Sequence, residues 1–154
     1  MNSIKKIASF TVDHNKLREG IYISRKDGDV VTYDMRTRVP NAGDLMDNAT
    51  MHSLEHMFAT YIRNSSIADD VIYFGPMGCQ TGFYLLVRGR ENGEILSVVK
   101  STLEKIVAHE VEIFGKSAVE CGNYANLSLE KAKIEAKRYL DVLNSKENWS
   151  FLYE

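Results

Sequence analysis

Apolar residues recur at every second position in the first third of the chain and at every third or fourth position in three later stretches. That change of period lays out the elements. Residues 21–24 (Ile-Tyr-Ile-Ser) and 30–36 read as strands. In the second, Val31, Tyr33 and Met35 alternate with Thr32, Asp34 and Arg36, the pattern of a half-buried strand. Lys26-Asp27-Gly28-Asp29 between them is a hairpin signal, because glycine takes positive φ without steric cost. Residues 39–48 hold Pro40, Asn41, Gly43, Asp44 and Asn48 and read as loop. Residues 49–63 have helical period, with Met51, Leu54, Phe58, Tyr61 and Ile62 on one stripe. Residues 71–74 and 83–88 are two more strands, joined by a glycine-flanked turn from Gly75 to Gly82. Helices are predicted over 94–110, with Ile95, Val99, Leu103 and Ile106 on one side, and over 129–143, with Leu129, Ala132, Ala136, Tyr139, Leu140 and Leu143 on one face. Ser128 is the predicted N-cap of the last, and Glu130 suits its first turn. Hairpin-linked strands with three helices predict an α+β domain: an antiparallel sheet covered on one face by helices, in a two-layer sandwich. The sheet's other face then needs a cover, and a homodimer interface would supply it.

Composition narrows the class. The 154 residues are 44% hydrophobic and 26% charged, as in an ordinary globular protein, and no linker or repeat divides them, so one domain over 1–154 is expected. The 19 Lys and Arg against 21 Asp and Glu give no basic surplus for nucleic acid. The longest apolar run, Phe83 to Val87, is too short for a membrane span. Lys5 and Lys6 are followed by Ser9, Thr11 and Asp13 rather than a signal-peptide core, so a cytoplasmic protein is expected. In that reducing compartment the isolated Cys79 and Cys121 are expected to be buried, metal-bound or reactive, not bridged.

The sharpest chemical signal is His52-Ser53-Leu54-Glu55-His56. On a helix, positions i and i+4 lie one above the other, so both imidazoles can reach one metal ion. A bare pair of this kind is often plain helix surface; the neighbouring Glu55, the amphipathic helix and the free cysteines favour a metal. Glu55 falls between the histidines and the apolar stripe, at the rim, where a carboxylate suits acid/base work. H-x-x-E-H is also an inverted zinc-peptidase signature, which makes a metallopeptidase the rival enzyme and a non-catalytic metal-binding module the rival outside enzymes. A third ligand must come from elsewhere: Cys121 beside Gly122, Cys79 on its glycine-flanked turn, His14, His109 or a distant glutamate. Spacing leaves that choice open. A cysteine held on such a turn is presented rather than buried. His109 reads as a helix-surface or capping residue, and Arg36 and Arg38 as a solvated strand end or a grip for an anion or a hydroxylated substrate.

Taken in order, Ser9-Phe10-Thr11-Val12-Asp13-His14, Met35-Arg36 with Pro40-Asn41, His52 to His56, Pro76-Met77-Gly78-Cys79-Gln80-Thr81-Gly82 and Cys121-Gly122 resemble the S-ribosylhomocysteine lyase (LuxS) family, with agreement in spacing from about residue 7 to about residue 140. The resemblance implies a homodimeric metalloenzyme of the activated methyl cycle, with sites at the interface. It would split S-ribosylhomocysteine into homocysteine and 4,5-dihydroxy-2,3-pentanedione, the autoinducer-2 precursor of quorum sensing. It implies one divalent metal per subunit, iron(II) natively with zinc or cobalt able to substitute. On this resemblance His52, His56 and Cys121 match the ligands, Glu55 and Cys79 the acid/base pair, and Ser9, His14 and Arg36 the substrate pocket. One position departs: many members carry aspartate where this chain has Tyr73, which puts a tyrosine hydroxyl in place of a carboxylate at an expected substrate contact.

Overall fold

The computed structural model describes residues 4–153. After a short 3-10 turn at Ala8–Phe10, the chain forms β1 (Gly20–Asp27), β2 (Val30–Arg36), α1 (Asn48–Ile62), β3 (Val71–Pro76), β4 (Gly82–Arg88), α2 (Asn92–Ala108) and α3 (Leu129–Asn144). The four strands make one sheet in the order β1-β2-β4-β3, every pair antiparallel. The β1–β2 hairpin turns at Gly28, whose φ of 61° is the left-handed conformation glycine adopts freely. The architecture is therefore the predicted antiparallel sheet with three helices.

Alternation puts Tyr33 and Met35 of β2 on the face that meets Phe83, Leu85 and Val87 of β4 and Phe74 of β3. The helices bury their stripes against this face: Leu54, Met57, Phe58 and Ile62 from α1, Ile95, Val99, Leu103 and Ile106 from α2, and Ala136, Tyr139 and Leu143 from α3. Phe58, Phe74 and Phe83 stack in succession with ring centroids 4.4 and 5.0 Å apart, which fixes α1 over β3 and β4. Burying one such ring contributes roughly 1.5–3 kcal/mol. Asp47 caps α1 by accepting from the Thr50 amide at 2.7 Å, and Ser128 caps α3 as predicted. The Ser128 amide also donates to Ser53 Oγ at 2.8 Å, tying the start of α3 to the middle of α1.

Two expectations change. Strict alternation would leave Asp34 and Arg36 in solvent on the outer face of β2, yet they are 1% and 3% exposed. The turn carrying Thr81 and a segment carrying Tyr153 close over them and supply the hydrogen bonds a buried ion pair needs. His109 does cap the end of α2, but it is buried rather than on the surface. No helix among the described residues is long and apolar enough to cross a membrane.

Candidate metal centre

α1 presents His52 and His56 on one side with their rings 4.7 Å apart, edge to face. The loop after α2 brings Cys121 to them. The ligand atoms of His52, His56 and Cys121 all lie within 4.8 Å of one another, and Cys121 Sγ is 3.3 Å from His52 Nε2. An imidazole nitrogen and a thiolate sulfur on one tetrahedral zinc-sized ion stand about 3.5 Å apart, so the spacing fits a shared ion. Burial first, and the charge of His56 second, hold His52 below the usual imidazole range, against the opposing pull of Glu55. A neutral ring offers the lone pair that a metal needs. The Asn123 amide points at the Cys121 sulfur from 3.4 Å. Three donors leave a fourth position open, as in catalytic rather than structural sites. The third member of the group is a cysteine and not the distant carboxylate of an inverted zinc peptidase, which disfavours the peptidase reading. Among the described residues this is the single such group.

The ligand geometry has its own supports. His56 Nδ1 lies 2.9 Å from the Phe114 carbonyl, which can only accept; Nδ1 therefore carries the proton and Nε2 is left for a metal. Gly115 makes that approach possible, since a Cβ there would come within 2.7 Å of His56 Nδ1. The loop is held by His109, whose Nε2 donates to the Glu112 carbonyl at 2.9 Å while Nδ1 takes the Tyr61 hydroxyl at 2.7 Å. Tyr61, His109 and Phe114 also pack edge to face. On the other side, Asn126 bridges His52 Nδ1 and Asn48. Nothing in a linear sequence announces these supports, apart from the glycine.

Glu55 shares an open hollow with His56, Ala59, Phe74, Phe114 and Gly115, at the rim where the helical phase predicts it. Cys79 is elsewhere. It is exposed on the β3–β4 turn and opens onto a second hollow with His14, Pro40, Asn41, Leu45 and Thr81. Its sulfur lies 3.0 Å from Thr81 Oγ1 and 3.8 Å from Arg36 Nη1. Arg36 is clamped: Nε and Nη2 donate to the two oxygens of Asp34 at 3.1 and 2.7 Å, and Nη1 donates to Thr81 at 2.7 Å. Burial opposes its charge, but Asp34 outweighs it and the guanidinium stays firmly charged. Tyr84, directly across from Asp34, carries this outer-face cluster to Ser9, which engages its side chain. Burial first and Asp34 second push the Tyr84 phenol up, while the Arg36 charge works the other way. So Ser9, His14, Arg36 and Cys79 gather on the outer side of the sheet, and His52, Glu55, His56 and Cys121 at the helices. Tyr73 is 52% exposed on β3, over Gly75, and lines neither hollow. Arg38 is drawn away to an ion pair with Glu135 of α3, a buried carboxylate that the helical period assigned no role.

The model of the S-ribosylhomocysteinase (LuxS) family matches residues 7–149. The chain is 44% identical over 155 aligned positions to the S-ribosylhomocysteine lyase of Finegoldia magna, which covers 97% of this chain and 99% of that protein. It is 45% identical to the S-ribosylhomocysteine lyase of Desulfotalea psychrophila, and 44% identical to that of Borreliella afzelii, each over 92% of this chain and 94% of the relative. With the family model matching residues 7–149 and relatives 44–45% identical over more than nine-tenths of its length, the chain belongs to the S-ribosylhomocysteinase (LuxS) family.

Proposed function

We propose that this protein is a metal-dependent S-ribosylhomocysteine lyase, releasing homocysteine and 4,5-dihydroxy-2,3-pentanedione by carbonyl migration and β-elimination. The observation that carries the reading is the open His52–His56–Cys121 group with Glu55 in the hollow beside it, in a chain of this family. A divalent ion bound there supplies an electrophile that polarises a carbonyl oxygen. Two imidazoles and a thiolate suit iron(II), zinc or cobalt better than magnesium or calcium, which prefer oxygen ligands; iron(II) is the metal proposed in the cell.

The chain's own residues do the rest. Glu55 takes a proton from a sugar carbon lying in its hollow and returns it to the neighbouring carbonyl carbon, while the proton of the first carbon's hydroxyl passes to the former carbonyl oxygen, which moves the carbonyl along the chain. Cys79 performs the matching transfers on the other side of the sugar, with the Arg36 guanidinium facing its sulfur to stabilise negative charge there. In the last step a proton leaves the carbon next to the carbonyl, its electron pair forms a carbon–carbon double bond, and the C–S bond breaks to expel homocysteine thiolate. Ser9 and His14, on the Cys79 side, are proposed to hold the substrate's polar groups, with Tyr73 at the edge.

Glu55 and Cys79 open onto different hollows of one chain. That separation supports a homodimer in which the Cys79 side of one copy faces the metal side of the other, two equivalent sites being generated by one twofold axis. The exposed Leu45 in the Cys79 hollow supports the same reading. Each copy is proposed to act as one domain over 1–154, in the cytoplasm, where two free thiols persist. Neither nucleic acid nor membrane is a proposed partner.

The test is to incubate metal-loaded protein with S-ribosylhomocysteine and titrate released thiol. Cys79→Ala and Glu55→Gln should keep metal and fold while losing about 10²–10⁴-fold in rate or more. Homocysteine release at near the parental rate by metal-loaded Cys79→Ala would sink the mechanism. Sedimentation should give a dimer; a fully active monomer would exclude the two-chain site.

A further inference from the structure

The segment from Trp149 to Tyr153 runs back across β1, the edge strand of the sheet. The Ile23 amide donates to the Phe151 carbonyl at 2.8 Å, and Trp149 Nε1 donates to the Leu143 carbonyl at 3.0 Å. Phe151 is buried edge-on to Tyr33 and has a φ of 63°. A bulky residue stays in that left-handed region only when its surroundings over-determine it. This bend delivers Tyr153 to the outer face of the sheet, where its ring stacks on Tyr22 at 5.0 Å and its hydroxyl donates to Asp34 Oδ2 at 2.7 Å. The same carboxylate oxygen accepts Arg36 Nη2 at 2.7 Å. The match to the family ends at residue 149, so Phe151 and Tyr153 lie outside it.

We infer that Tyr153 is a positioning residue for Cys79, its hydroxyl acting through Asp34 to hold the Arg36 guanidinium against the Cys79 sulfur. The hydroxyl disperses charge on Asp34 and fixes the carboxylate in the plane of the guanidinium fork. Without it, Asp34 draws more of the Arg36 charge to itself and loses one of the bonds that hold it in the plane of the fork. Both effects leave less positive potential at the sulfur. Burial first and the Asp34 charge second push the Tyr153 phenol up, so it keeps its proton and donates. The groups around Cys79 are Asp34 and Arg36 of β2, Thr81, Tyr84 of β4, and His14 of the N-terminal segment. Tyr153 alters the balance within the Asp34–Arg36 pair through its hydrogen bond to Asp34 Oδ2.

The catalytic meaning of this relay rests on the proposed role of Cys79, so the test reads Cys79 itself. Iodoacetamide alkylation of Cys79 in the full-length, metal-loaded protein is followed by peptide mass at about pH 6.5 and about pH 9.5, since the thiolate is the reacting form. Tyr153→Phe loses only a hydroxyl and keeps the ring stack. Its ratio of the low-pH to the high-pH rate should fall about threefold, a part of what one hydrogen bond to a charged group is worth. Tyr153→Ala should show the same fall, with any added exposure raising both rates alike. A parental ratio in both variants, or a Tyr153→Ala effect that is equal at the two pH values, overturns the inference and leaves the segment a mere cover. A Cys79→Ala protein that still released homocysteine would defeat the proposed mechanism and leave this result standing.

Discussion

Replacing Gly115 by alanine strikes at how His56 is held without touching a donor atom. Gly115 has a φ of 73°, and a non-glycine residue there costs about 1–2 kcal/mol. The new methyl would also sit 2.7 Å from His56 Nδ1 and 3.1 Å from Cε1. Ordinary contact begins near 3.4 Å, so the ring or the loop must yield by about 0.7 Å, against a tolerance of about 0.2 Å in metal–ligand distance. The ring cannot simply slide. Its Nδ1 is tied to the Phe114 carbonyl at 2.9 Å, one residue from the new methyl, and His52 stands edge-on beside it. Breaking the Nδ1 bond frees the tautomer, and losing such an outer partner typically costs about 10–100-fold in metal affinity. The expected outcome is that loss in a chelator competition with zinc or cobalt. It should be accompanied by a drop of roughly 2–8 °C in the metal-free melting temperature, from the backbone term alone. Cys121→Ala is the reference for losing a donor outright and should lose more. A folded Gly115→Ala protein with affinity within about twofold of the parent would refute the idea that the Phe114–Gly115 loop sets the His56 geometry.

Three further outcomes are expected. Asp47→Ala removes the α1 cap and should cost about 1 kcal/mol at neutral pH by thermal or urea melts. The Lys131 and Thr50 bonds hold the Asp47 carboxyl down at about 2, so its contribution is complete above the unfolded carboxyl range; the gap between parent and variant should close as pH falls from about 4 through 2, and a constant gap would contradict this. His109→Ala should weaken metal retention with every ligand intact, because Tyr61 and Glu112 lose the ring that staples the ligand-supporting loop; unchanged chelator competition would show the staple to be irrelevant. Tyr73→Phe should raise KM with kcat kept, and parental values of both would show that the hydroxyl makes no useful substrate contact.

Local physics carries a great deal of this protein. The period-two runs, the period-3.6 stripes, the Gly28 turn and the Ser128 cap are decided within a few residues, so their positions could be read from the chain alone. His52, Glu55 and His56 are legible for the same reason: the helix that spaces them is itself a local structure. Other features depend on which distant segments meet. Cys121 becomes the partner of His52, and Cys79 does not, only because the loop after α2 folds against α1. Asp34 and Arg36 look like solvent positions until the β3–β4 turn and the Tyr153 segment close over them, since alternation encodes which face a side chain takes and not what later covers that face. His109 reads as surface because its two partners, Tyr61 and the Glu112 carbonyl, come from another helix and an irregular loop. Periodicity reports exposure to the nearest layer of the fold; a site assembled from loops needs the third dimension, because its energy lies in contacts between residues far apart in sequence.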